Sequence, residues 1–122
     1  MRMWMVDPKI MCRKHLLGEH VEHHMFIGTL KKGKRVDGYI KNNCFQPRSL
    51  FERHDALVCE MERRGYNHQS PITEEECDVC HLPNEYQYWK IDDKQSLRDL
   101  LERCPECRLR KEQSDDSERH IH

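Results

Sequence analysis

The chain has 122 residues, of which 36% are hydrophobic and 35% charged, so it fits one small domain with a thin apolar core that calls for a staple. No apolar run approaches the roughly 20 residues needed to cross a bilayer, and the short apolar start from Met1 to Val6 lacks the form of a signal peptide. A cytoplasmic protein that stays out of the membrane is therefore expected.

The formal net charge of -1 hides an asymmetry. Residues 1–72 carry 13 Lys and Arg against 8 Asp and Glu, whereas residues 73–122 carry 8 against 14. A basic first part with six histidines suits a phosphate backbone, provided the acidic second part faces away. Ordinary surface variation accounts for the same split equally well.

Asp7-Pro8 supplies an N-cap and a proline for a first helical turn, and the apolar residues Ile10, Leu16, Leu17, Val21, Met25, Ile27 and Leu30 follow with helix-like spacing. That spacing predicts a helix ending near Leu30, with room for one break near Met11, and stopped by Gly33 within Lys31-Lys32-Gly33-Lys34-Arg35. After a loop through Asn42-Asn43, Pro47 opens a second helix with Leu50, Leu57, Val58 and Met61 on one stripe, closed by Gly65. Ser96, three residues before Asp99, signals a shorter third helix carrying Leu97, Leu100 and Leu101. The polar end from Ser114 onwards is expected to fray.

Two knuckles, Cys77-x-x-Cys80 and Cys104-x-x-Cys107, stand 23 residues apart and together offer the four thiolates of a tetrahedral structural zinc site. Cys77-x-x-Cys80-His81 also satisfies the haem-attachment pattern, but that reading needs export and leaves the second knuckle unexplained. Redox-active or merely buried thiols are the third alternative. Cys59 falls near the apolar stripe of the second helix, and Cys12 and Cys44 suit core or surface alike. Tyr86, Tyr88 and Trp89, between the knuckles, suit base stacking or packing around the zinc. The expected organisation is a helical core over 1–72, a zinc module over 73–111 and a flexible polar tail over 112–122.

His15, Glu19, Glu22 and Phe26 fall at i, i+4, i+7 and i+11, which places them on one narrow face of the first helix. Spacing alone leaves open whether this is a reactive face or a solvated polar stripe. His20 and His24 at i, i+4 have metal-ligand spacing, but without a completing pattern they are expected at the surface or facing DNA.

Met1-Arg2, the run His15-Leu16-Leu17-Gly18-Glu19-His20-Val21-Glu22 and the pattern Arg53-x-x-x-Leu57-x-x-Glu60-x-x-x-Arg64-Gly65-Tyr66-Asn67 resemble the phage pyrimidine-dimer DNA glycosylase family, the endonuclease V of UV-damage repair. The resemblance covers about residues 1–70. It implies a mainly α fold whose N-terminal segment threads between helices and brings the terminal amine to the active site. It further implies catalytic roles for Met1 and Glu22, supporting roles for His15 and Glu19, and a phosphate contact for Arg2. Arg13, Lys14, Lys31, Lys32, Lys34 and Arg35 are secondary candidates for the DNA backbone.

The chemistry agrees with that assignment. α-Amines as a class, with reference pKa near 7.8, are roughly 14% neutral at pH 7, against about 0.04% for lysine side chains. Such an amine can displace a base and form an imine, after which elimination cleaves the strand. Glu22 is the candidate for steering protons and for balancing the developing oxocarbenium charge.

The chain departs from the family pattern at three points. A retained Met1 stands where the family has a small residue, Val21 and Met25 replace two arginines flanking the glutamate, and the cysteine module with its acidic tail replaces an aromatic, basic end. The expected substrate is double-stranded DNA carrying a pyrimidine dimer or another altered pyrimidine, engaged by a monomer in the cytoplasm, or in a host's cytoplasm if the chain is phage-encoded. Two readings stand beside it: a glycosylase for modified phage or host bases, and a non-catalytic zinc-containing module that binds DNA or protein.

Overall fold

The computed structural model describes residues 1–68 and 70–120, with side chains through Asp116. Its regular structure is helical, with no strand among the described residues. The first expected helix is indeed broken at Met11. Asp7 caps a short 3-10 turn, Pro8–Ile10, and Met11 is extended. The long helix α1, Arg13–Lys31, then starts afresh with the Cys12 sulfur accepting the His15 N–H.

Gly33, at φ +67°, ends α1 in the left-handed region that its neighbouring cations could adopt only with strain. Helix α2, Asp37–Lys41, occupies what the sequence suggested was loop; it buries Ile40. Pro47 opens a 3-10 turn, Pro47–Ser49, that runs into α3, Leu50–Arg63. Beyond a 3-10 turn at Glu75–Cys77 come α4, Asn84–Gln87, and α5, Asp93–Arg103.

Ser96 does not cap α5. Asp92 does, through a carboxylate oxygen 3.1 Å from the Gln95 N–H, while Ser96 lies fully buried inside the helix. Helix α6, Pro105–His120, takes in most of the polar stretch expected to fray. A Lys111–Asp115 ion pair one turn apart supports it, and the Arg110 guanidinium donates to the Lys9 carbonyl. Residues 121 and 122 lie outside the described residues.

Residues 1–6 form no regular element yet are held firmly. The Met3 N–H donates to the Cys44 carbonyl at 2.7 Å, the Trp4 N–H donates to Glu19 Oε1 at 3.0 Å, and the Ser96 hydroxyl donates to the Trp4 carbonyl. α1, α5 and the loop after α2 thus satisfy an extended backbone that has no sheet partner. The N-terminal segment is threaded between helices.

Successive side chains of an extended segment point to opposite sides, and here they enter two separate cores. Met3 joins Phe26, Phe45, Ile40 and Leu50, with the Phe26 and Phe45 rings stacked at 4.3 Å. Trp4 joins Leu16, Leu57, Leu100 and the cysteines Cys12, Cys104 and Cys107. The thread is therefore the seam between the two cores. Met5, within it, takes φ 55°, a left-handed conformation that costs a non-glycine residue roughly 1–2 kcal/mol.

Candidate active site and metal centre

The face of α1 that carries His15, Glu19 and Glu22 lies against the threaded segment, and its three polar residues have separate partners. Glu22, half-buried, accepts the Arg2 N–H through Oε2 at 3.1 Å. Burial raises its carboxyl above the ordinary glutamate range, opposed by the Arg2 N–H and by the positive chain terminus nearby. A carboxylate thus sits beside the first peptide bond of the chain.

Glu19, one turn earlier, is buried, and both of its oxygens meet the buried Arg53 guanidinium, at 2.7 Å from Nε and 3.0 Å from Nη2. Arg53 also donates to the Val6 carbonyl. Together with the Trp4 contact, this clamps the thread at residues 4 and 6 while Glu22 meets it at residue 2. Buried Glu and Arg are tolerated only when paired and hydrogen-bonded throughout, and these are.

The Arg2 side chain is turned inward. Its guanidinium lies 3.9 Å over the Trp4 ring and donates to Asp99 Oδ2 at 3.1 Å, with the Ser96 hydroxyl at 3.4 Å. A phosphate contact from Arg2 would have to displace Asp99. The other basic candidates are exposed but form no single patch: Arg13 and Lys14 start α1, whereas Lys31, Lys32, Lys34 and Arg35 lie at or beyond its far end, about 28 Å away at 1.5 Å per residue. Arg13 stacks over Tyr66, and Arg35 pairs with Asp37 at 2.7 Å. Val21 and Met25, the two positions flanking Glu22 that lack arginine, are about half exposed.

The cysteines are arranged differently from the expected four-thiolate site. Ligand atoms of Cys12, His15, Cys104 and Cys107 all lie within 4.8 Å of one another. The Cys12 and Cys104 sulfurs are 3.7 Å apart, and His15 Nδ1 stands 3.2 Å from the Cys12 sulfur and 3.9 Å from that of Cys107. A tetrahedral ion with metal–sulfur bonds near 2.3 Å sets sulfurs about 3.8 Å apart, so the spacing and the three-sulfur, one-nitrogen donor set both fit a metal. The Cys12 N–H donates to the Cys107 sulfur at 3.2 Å and the Cys107 N–H to the Cys104 sulfur at 3.4 Å, contacts that stabilise thiolates.

Cys77 and Cys80 are not part of this centre. Cys77 packs against the Met3–Phe26 core, whereas Cys104 and Cys107 are embedded in the Trp4–Leu16 core, so the thread and its two packed faces separate the knuckles. The signal for the actual partners was present as Cys12-x-x-His15, a ligand pair at i, i+3. It went unread because His15 also fitted the helix face of Glu19 and Glu22. Arg53, Ser96 and Asp99 likewise shape the site, although the sequence marked Arg53 only within the family pattern and Ser96 and Asp99 only as a helix start.

Comparison with known families matches residues 1–74 to the pyrimidine dimer DNA glycosylase family, and the chain belongs to that family. Its class is thus that of DNA glycosylases, and DNA is its substrate. No curated protein and no solved structure matched the chain. The matched segment contains the thread, α1 and α3, together with Cys12 and His15, but ends before Cys104 and Cys107. Among the described residues, no helix is long and apolar enough to cross a membrane.

Proposed function

We propose that this chain excises a pyrimidine dimer or another altered pyrimidine from double-stranded DNA, and then cleaves the strand, through an imine formed by the α-amine of Met1. The observation that carries the reading is the Glu22 carboxylate bonded to the Arg2 N–H, one residue from the proposed nucleophile, in a chain of glycosylase lineage. The neutral amine forms a bond to the sugar's anomeric carbon as the glycosidic C–N bond breaks, and the base departs with that electron pair and takes up a proton. The nitrogen gives up a proton, the bond from the anomeric carbon to the ring oxygen breaks as that oxygen takes up a proton, and the sugar opens to the imine. Removal of a proton from the adjacent carbon then expels the 3′ phosphate.

Glu22 is the group that accepts and returns these protons and balances the oxocarbenium charge. Its raised carboxyl favours both taking up and giving back a proton. Glu19 and Arg53 act at one remove, by holding residues 4 to 6 so that the amine stays in register. The exposed Val21 and Met25 offer an apolar surface beside Glu22 suited to an unstacked base, in place of a cationic grip on the backbone.

Zinc is the ion we assign to Cys12, His15, Cys104 and Cys107, because a closed set of three thiolates and one imidazole is a structural zinc set. It would fasten α5 and α6 to the start of α1. Glu22→Gln tests the catalytic reading: single-turnover excision should fall by about a hundredfold or more while DNA affinity holds or rises. Near-wild-type excision by the folded variant would remove Glu22 from the reaction.

A further inference from the structure

A second group of ligands lies on another flank of α1 and takes no part in the chemistry above. His20 from α1, His54 from α3 and His68 beyond the end of α3 place one ring nitrogen each within 4.8 Å of the other two. His20 and His54 are buried and His68 is partly so. Ring centroids are 4.8 Å apart for His20 and His54, 4.9 Å for His20 and His68, and 5.5 Å for His54 and His68. His24 completes the group, its ring 5.0 Å from His20 and 5.4 Å from His54.

Ordinary core histidines have satisfied nitrogens, and these do not. His54 Nε2 and His24 Nε2 are buried without a hydrogen-bond partner, a state that is costly unless another ligand satisfies it. His68 Nε2 stands 3.0 Å from His20 Nε2 and 3.0 Å from the Ser70 carbonyl. One proton on that nitrogen can serve only one of the two. His23 Nε2 is also buried without a partner, but its Nδ1 is tied back to the Glu19 carbonyl at 2.9 Å and the residue stays outside the group.

We propose that His20, His54 and His68 hold a second divalent transition-metal ion of the imidazole-preferring class, zinc foremost, with His24 facing its fourth position. Bonds of about 2.0–2.1 Å set the nitrogens of such a site about 3.3 Å apart, close to the observed approach of His20 and His68. The ion would join α1, α3 and the segment after Gly65, beside the Glu19–Arg53 pair that already links α1 to α3. The first centre fastens the C-terminal helices to the start of α1; this one fastens its middle. The proposal does not depend on the glycosylase mechanism.

The test is metal content by elemental analysis of untagged protein, loaded with zinc and freed of excess, for wild type, His54→Ala and His68→Ala. Each variant should lose one zinc per chain relative to wild type. Cobalt-loaded His68→Ala should keep the thiolate-to-metal charge-transfer band of the cysteine centre while losing ligand-field absorption. His68 lies outside the helices, so its variant remains informative even if His54→Ala misfolds. Unchanged zinc content in folded His68→Ala would overturn the proposal and leave a cluster of neutral imidazoles.

Discussion

Glu19 and Arg53 form a two-point ion pair inside the protein, and the same carboxylate receives the Trp4 N–H while the same guanidinium reaches the Val6 carbonyl. The pair is thus a clasp around the threaded segment as well as a link between α1 and α3. Arg53→Met should destabilise by about 3–5 kcal/mol, because it strands a buried carboxylate. Glu19→Gln should lower the melting temperature more than Glu22→Gln does, yet reduce excision by the folded fraction less. Equal stability of the two variants in thermal melts would deny Glu19 its structural role.

The metal centre proposed at Cys12, His15, Cys104 and Cys107 reverses the ranking of cysteines that the two knuckles suggest. Cys12→Ser should destabilise as severely as Cys104→Ser or Cys107→Ser, since each removes one of four ligands, while Cys77→Ser and Cys80→Ser should leave the metal in place. A chelator should loosen α5 and α6 from α1 before the Phe26–Phe45 core melts. Hydrogen exchange resolves this: early exposure confined to residues 1–68 would contradict the assignment.

Glu60 makes stability depend on acidity. Hydrogen bonds from Arg63, opposed by burial and reinforced by Arg64, hold its carboxyl below the usual range, and Arg64 also donates to the Pro8 and Met11 carbonyls. A depressed folded-state value means that the unfolded chain binds the proton more tightly. The contribution is therefore complete above the unfolded value of about 4.3 and is lost as pH falls through the folded one. Denaturant titrations should show the stability gap between wild type and Glu60→Gln shrinking below about pH 4. A gap independent of pH would show that the charge of Glu60 does not matter.

Asp99 holds the Arg2 guanidinium, so the phosphate contact proposed for Arg2 has to compete with it. Freed by Asp99→Asn, the guanidinium can reach a phosphate, so binding should strengthen and the salt dependence should steepen by about one released counterion. Unchanged affinity and slope would mean that Arg2 serves only to pack against Trp4 and α5.

The helices were legible because proline, glycine and the period of 3.6 mark them locally: Pro8, Gly33, Pro47 and Gly65 stand where elements begin or stop. The short α2 was not, since five residues burying one isoleucine give no periodic signal. Ser96 misled for a definite reason. A serine before an acidic residue looks like a cap, but its hydroxyl serves Trp4, which is 92 residues away. Ligand identity failed in the same way, because a paired-knuckle pattern carries spacing along the chain but not which side of the thread each knuckle packs against. The Glu22 placement was legible because its distance from Met1 is fixed by one segment and one helix.

The claim that the first residue is the nucleophile is tested most directly by borohydride trapping on an abasic-site duplex, followed by peptide mapping of the adduct. The untagged protein should form one covalent complex, mapped to the α-nitrogen of Met1, and reductive methylation of that amine should abolish it. An adduct on a lysine side chain, or trapping undiminished after methylation, would contradict the account.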